Sequence, residues 1–295
     1  MGRHRARRYC PAVSNTVEVV VVSYASDPVV ERLLASLAAT LPEAPVAIRE
    51  HAADAAHVAA LERLAARHTA PVRVEHDPSN PGFGAGCNAL ASTSTADFLM
   101  FLNPDTELLA WPWSEAEPPP AATVIGPVMV DSGPPGEHYG RSYRIRDEIA
   151  RSWLRRQPPP PDGEGYVSGA AMLIERTAFQ RLGGFDPDFF MFYEDVDLCL
   201  RANEAGYPTI IDPNWSVRHA RRHSTDERFG QALVWSYESA VRFHAKQGSP
   251  VHAYRAYVAA DSALRSLMYL ARRDRSRASE YASLARRAAR ETFRT

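Results

Sequence analysis

Hydrophobic positions change their period repeatedly along the first hundred residues. Residues 17–22 are an almost unbroken β-branched run, the composition of a central strand buried on both faces, and polar Ser23-Tyr24-Ala25-Ser26 follows. Asp27-Pro28 can cap and open a helix, and Val30, Leu33, Leu34, Leu37 and Leu41 then fall on one helical face. The pattern predicts a second strand at 45–49, a helix at 54–68, a third strand at 72–75 and a fourth at 98–102, which ends in Asn103-Pro104-Asp105. Such alternation implies a mostly parallel α/β sheet flanked by helices, with right-handed crossovers. Ligands of such sheets sit beyond the carboxyl ends of the strands, where residues 23–26, 50–54, 77–88 and 103–105 are expected to gather.

Pro118–Pro120 and the prolines at 158–161 interrupt the middle of the chain. Between them a strand is predicted at 123–130, followed by an irregular Gly/Pro/Arg segment at 131–157. Residues 166–175 read as one buried strand through the small patch Ser168-Gly169-Ala170-Ala171. An aromatic and acidic stretch from Phe185 to Asp197 runs into a helix closed by Gly206, and residues 228–294 read as wholly helical. The expected organisation is a mobile basic arm at 1–16, a sheet domain at 17–224 and a helical C-terminal extension at 225–295.

Charge removes several classes of function. Lys+Arg number 34 against 35 Asp+Glu, a net charge of -1, so a nucleic-acid partner is not expected. Lys246 is the single lysine, a coding bias that takes weight from arginine counts. Cys10, Cys87 and Cys199 are odd in number and far apart, fitting neither a disulfide framework nor a close-spaced metal motif, and a reducing cytoplasmic setting is expected. No window approaches the roughly 18–20 apolar residues that cross a bilayer. Arg3, Arg5, Arg7 and Arg8 precede no signal-peptide core.

Four segments carry candidate chemistry. Asp105 at a strand end can hold a divalent cation against a diphosphate, with Asn103 serving a ribose or the ion's water shell; a plain turn is the alternative. Asn80-Pro81-Gly82-Phe83-Gly84-Ala85-Gly86-Cys87-Asn88 lets backbone approach a phosphate or base, or is a tight loop without a ligand, and its spacing is not a dinucleotide fingerprint. Glu194, Asp195 and Asp197 follow five aromatic or Met residues, a placement suited to a general base raised by burial. Asp197 suits a helix N-terminus, with Glu194 or Asp195 in the loop before it. His219 can complete a metal site, with Arg221 and Arg222 facing a pyrophosphate; an incidental surface cluster is the alternative.

Taken in order, these segments resemble the inverting nucleotide-sugar glycosyltransferases of family 2, which have the GT-A fold, and within them the rhamnosyltransferase-like branch. The resemblance rests on Val-Val-Val-Ser-Tyr at 20–24, Asn80 to Asn88, Phe101 to Asp105, Ser168 to Ile174, Gly183 to Asp186, Phe190 to Leu200 and Pro213 to His219. Four motifs in the right order outweigh the alternative reading of any one.

The resemblance implies a metal-dependent transfer using Mg2+ or Mn2+. It makes Asp105 the metal-binding aspartate, with His219 as a metal ligand, and Asp195 the catalytic base, with Glu194 the next candidate. It implies nucleotide-sugar contacts from Ser23, Tyr24, Glu50, Asn80, Gly82, Gly84, Asn88, Asn103, Gly169 and Ala170. The family's aspartate after the second strand is here Glu50, followed by His51, which also leaves room for an inactive nucleotide-sugar-binding protein. A sugar nucleotidyltransferase would need a Gly- and Lys-rich signature after the first strand, which residues 23–27 lack. A chiefly scaffolding role for the helical tail is a further reading. The preferred donor is dTDP-rhamnose, and the expected acceptor is a glycan or lipid-linked hydroxyl in cell-surface synthesis. From Arg221 onward 15 Lys+Arg stand against 7 Asp+Glu, which suits peripheral contact with an anionic membrane or homo-oligomer formation through the C-terminal helices.

Overall fold

The computed structural model describes residues 16–114, 116–130, 138–140, 144–154, 160–219 and 228–292. Strand β1 (Val17–Ser23) leads into α1 (Asp27–Thr40), and β2 (Val46–Glu50), α2 (Ala55–Ala65) and β3 (Val72–His76) repeat the alternation. Helix α3 (Phe83–Ser92), β4 (Phe98–Leu102), β5 (Thr106–Ala110) and β6 (Val124–Val130) follow. The middle of the chain supplies β7 (Tyr139–Gly140), α4 (Ile145–Leu154), β8 (Asp162–Gly163), β9 (Tyr166–Val167), β10 (Ala171–Glu175) and α5 (Arg176–Arg181). Helix α6 (Glu194–Glu204) and β11 (Thr209–His219) precede three closing helices, α7 (Phe229–Lys246), α8 (Val251–Ala271) and α9 (Arg275–Thr292).

The main sheet runs β3-β2-β1-β4-β10-β6-β11-β5, with β8 paired to β11. β1, β2, β3 and β4 pair in parallel. β10 enters antiparallel between β4 and β6, while β11 runs parallel to β6 and antiparallel to β5. One edge of this mixed sheet therefore collects the ends of β1, β2, β3, β4 and β11 together with the starts of β10 and β5. Val20, Leu99, Phe101 and Met172 pack on one face, while Val19, Val21, Met100 and Trp215 pack on the other. This two-sided burial explains why the strands read as continuous apolar runs.

Several expectations change. Ser26, not Asp27, precedes α1, and Asp27 lies within its first turn, 2.5 Å from His57 Nδ1. Residues 80–88 are not one loop, because α3 begins at Phe83 despite Gly84 and Gly86. The strand expected at 166–175 breaks at Ser168-Gly169-Ala170, and α4 occupies part of the segment read as irregular. Residues 1–15 of the basic arm lie outside the described residues. Thr16 is tied down, its amide donating to Asp97 Oδ2 at 3.0 Å.

The C-terminal helices pack onto the sheet and complete one face of its core. Tyr237, Phe243, Tyr254, Val258 and Leu284 share one buried cluster with Phe185, Phe189 and Tyr193. Lys246 on α7 fixes this docking, placing Nζ 2.7 Å from Asp186 Oδ2 and 2.6 Å from Asp197 Oδ1.

Candidate active site

Glu50 ends β2 fully buried. Its carboxylate accepts from Ser23 Oγ at 2.6 Å, Ala25 N at 2.9 Å and Ala52 N at 2.7 Å. Glu50 and Ser23 thus brace the loops after β1 and β2 against each other. Tyr24 is the half-exposed member of that loop. The Arg228 guanidinium lies 4.5 Å from its ring centroid and donates to its hydroxyl at 3.1 Å. The next residue, His51, is buried and donates Nδ1–H to the Asp77 carbonyl at 2.7 Å, leaving Nε2 without a hydrogen-bond partner among the described residues. Asp77 itself is pulled down to about 2 by hydrogen bonds from Ser79 and Arg49.

The glycine segment packs closely against residues 184–194. Gly82, at φ +102, precedes α3, where a Cβ would overlap the Phe190 carbonyl oxygen, the acceptor of Phe83 N at 3.0 Å. A Cβ on Gly84 would fall 2.9 Å from Phe185 Cβ. Asn88 uses its whole amide on one residue: Nδ2 donates to Phe185 O at 2.7 Å and Oδ1 accepts from Phe185 N at 2.9 Å. Gly82, Gly84 and Asn88 therefore seat the segment 184–194 against α3. Asn80, at φ +46, stays in the loop after β3.

That seated segment presents the acidic cluster. All three carboxylates belong to the first turn of α6, so Glu194 and Asp195 are not in a preceding loop. Phe192 and Tyr193 both adopt left-handed backbone, at φ 70 and 69, at about 1–2 kcal/mol each. Support comes from α7: Ser239 Oγ donates to Met191 O at 2.8 Å, and Phe243 packs 5.3 Å from the Tyr193 ring. Asp195 Oδ2 accepts from Gly169 N at 2.8 Å and Oδ1 accepts from Val196 N at 2.8 Å. Burial still holds this carboxyl above the ordinary aspartate range, against those two bonds. Glu194 is buried, with Oε2 unpartnered among the described residues; burial, and then the charge of Asp195, push it well above the glutamate range. Asp197 is spent on Arg201 and Lys246.

A short backbone path joins this carboxylate to the second charged group. Gly169 holds Asp195, the neighbouring Ala170 carbonyl accepts from Asn103 N at 2.9 Å, and Asn103 O accepts from Thr106 N at 3.2 Å. Asp105, within that turn, lies 3.2 Å by Oδ1 from His219 Nε2 at the end of β11. His219 Nδ1 is buried without a hydrogen-bond partner among the described residues, and the His138 ring stands 5.9 Å away. Arg221, Arg222 and His223 lie outside the described residues. Sequence reasoning named His51 only as a departure from the family pattern and passed over His138 and Arg228. His51 has a local signal in its place beside Glu50, whereas Arg228 meets Tyr24 across 204 positions and only the fold reveals it.

The sequence model of the family described as "Glycosyltransferase like family 2" matches residues 149–238. The N-acetylglucosaminyl-diphospho-decaprenol L-rhamnosyltransferase of Mycobacterium tuberculosis is 28% identical over 273 residues, covering 80% of this chain and 86% of the relative. Rhamnosyltransferase WbbL of Escherichia coli K12 is 34% identical over 82 residues, 28% of this chain and 31% of its own. The chain is a glycosyltransferase similar to those of family 2. The glycosyltransferase shares its GT-A fold with the mannosyltransferase PcManGT from Pyrobaculum calidifontis, solved with GDP-Man and Mn2+. That likeness has a TM-score of 0.53 at 17% identity and covers 98% of this chain and 91% of the other. GalNAc-T7, solved with UDP, GalNAc and Mn2+, matches with a TM-score of 0.55 at 15% identity, over 71% of this glycosyltransferase and 44% of its own chain.

Proposed function

We propose that this glycosyltransferase moves an L-rhamnosyl residue from dTDP-rhamnose, with inversion, to a hydroxyl of a diphospholipid-linked sugar. The observation that carries the reading is the path from Asp195 through Gly169, Ala170 and Asn103 to Asp105 and His219. The named activity of the mycobacterial relative supports both the sugar and the acceptor class.

Asp105 and His219 offer a carboxylate oxygen and an imidazole nitrogen side by side, a donor set that fits Mg2+ or Mn2+ shared with phosphate oxygens. Among the described residues no group of three or more His, Cys, Asp or Glu side chains forms a metal cluster. When bound, the cation supplies charge stabilisation to the departing diphosphate. Asp195 takes the proton of the acceptor hydroxyl as the hydroxyl oxygen bonds to the anomeric carbon and the bond from that carbon to the diphosphate oxygen breaks. The Gly169 amide fixes Oδ2, and partial burial raises the basicity of the carboxylate. Glu194, whose buried surroundings favour its neutral form, is the weaker candidate for the role. Tyr24, with Arg228 over its ring, offers a face for the nucleobase.

The test incubates the protein with a panel of nucleotide sugars and Mn2+ or Mg2+, following nucleoside diphosphate release with and without a diphospholipid-linked sugar. The reading expects dTDP-rhamnose to be turned over fastest. It expects Asp195→Asn to bind the donor within a few fold of wild type by calorimetry while losing transfer. Donor binding without turnover by the wild type would instead make this a nucleotide-sugar-binding protein.

A further inference from the structure

Helix α8 (Val251–Ala271) is turned inside out. Its inward face carries Tyr254 and Val258 and then Ser262 and Ser266, all buried, and Ser266 Oγ donates to the Ala278 carbonyl on α9 at 2.8 Å. Its charged groups are also occupied by the protein: Arg265 pairs with Asp261 at 2.7 Å, and Arg255 donates to the Glu291 carbonyl at 3.0 Å. From 253 to 271, by contrast, every exposed position of the helix is Ala, Leu or Met. Leu264, Leu267 and Leu270 are 43%, 63% and 51% exposed. A surface helix ordinarily points this apolar face at the core. Here, over the C-terminal half of the helix, serines take the core side and leucines the solvent side.

The chain turns basic where the stripe ends. Arg272, Arg273 and Arg275 follow α8 directly, and all three are exposed. We propose that this stripe is a docking surface for an anionic lipid bilayer, with α8 lying along the interface, its leucines in the acyl boundary and the three arginines on lipid phosphates. None of the described helices is long and apolar enough to cross a membrane, so the contact is a surface one.

Two observations favour a bilayer over a second copy of the chain. The stripe runs roughly 27 Å and is about one helix wide, well under the ~800 Å² per partner of a standard stable interface. A two-fold antiparallel pairing of α8 would also set the arginines of one copy beside the start of α8 in the other. Residues 247–260 carry no carboxylate, and a helix N-terminus is itself electropositive. Lipid phosphates supply the missing negative charge. The inference goes beyond the proposed donor and acceptor and needs neither to be tested.

The experiment sediments the full chain with vesicles of equal parts phosphatidylcholine and phosphatidylglycerol, and with phosphatidylcholine alone, at low and high salt. The expected result is partition onto the anionic vesicles at low salt, weakened about fivefold for each of Arg272 and Arg275 changed to alanine. Leu264→Glu with Leu267→Glu is expected to weaken binding by about tenfold or more, while thermal melting and nucleotide-sugar turnover stay at wild-type values. The milder Leu264→Gln with Leu267→Gln gives the same direction should the glutamates disturb folding. Failure of the wild type to bind anionic vesicles, or equal binding by the leucine variants, overturns the proposal. So does a wild-type dimer in sedimentation velocity that the leucine variants dissociate while no vesicle binds. Turnover without vesicle binding overturns the docking surface alone, and vesicle binding without turnover overturns the functional reading alone.

Discussion

His219 Nε2 lies 3.2 Å from Asp105 Oδ1, joining the end of β11 to the turn between β4 and β5 across 114 positions. Asp105→Ala is expected to lower donor turnover by about 10²–10³, the scale of losing one strong electrostatic stabiliser. His219→Ala is expected to lower it less and to raise the Mn2+ concentration needed for half-maximal rate. Metal titrations of both variants, with excess EDTA as the control, check this; full turnover in EDTA would refute the pairing as a cation site.

Glu194 and Asp195 should separate by role. Glu194→Gln is expected to retain transfer, because burial and then the charge of Asp195 favour the neutral form of Glu194. Its folded-state pKa is raised above the unfolded value. The stability it lends is therefore present below the ordinary glutamate range and lost as pH rises toward the folded value. Thermal melting from acid to neutral pH should fall less in Glu194→Gln than in wild type. Parallel profiles, or a loss of transfer equal to that of Asp195→Asn, would count against the assignment.

Asn88→Ala removes both side-chain bonds to the Phe185 backbone and leaves those groups unpaired, at about 1–3 kcal/mol. Urea unfolding should report that loss, while donor KM stays near wild type in the folded protein. A selective rise in KM without loss of stability would return Asn88 to the ligand.

Lys246→Met should loosen α7 from α6. Asp197 keeps Arg201, and Lys246 is partly exposed, so the expected cost is about 1–2 kcal/mol rather than that of stripping a buried charge entirely. Burial pushes Asp186 up, but the Lys246 bond and its other partners bring it below its usual value. Its contribution is therefore present above the unfolded value and lost as pH falls. The wild-type advantage over Lys246→Met, read by melting temperature, should shrink on acidification.

Alternation of β-branched runs with helical spacing determined the first half of the sheet, because burial on both faces demands apolar side chains at every strand position. Strand polarity likewise gathered the loops after β1 to β4, Asp105 among them, whereas Asp195 and His219 were joined to that site only by the family resemblance. Roles set by a distant partner were not legible. Asn88 seats Phe185 from 97 positions away, Glu50 turns to Ser23 rather than to solvent, and Arg228 crosses 204 positions to Tyr24. Periodicity also made residues 228–294 helical without saying which side of α8 faces the core. Ser266 went inward, with Ser262 one turn before it, because α9 offers Ser266 a close, hydrogen-bonded contact, and that choice, which leaves the leucines outside, is made only when the helices pack.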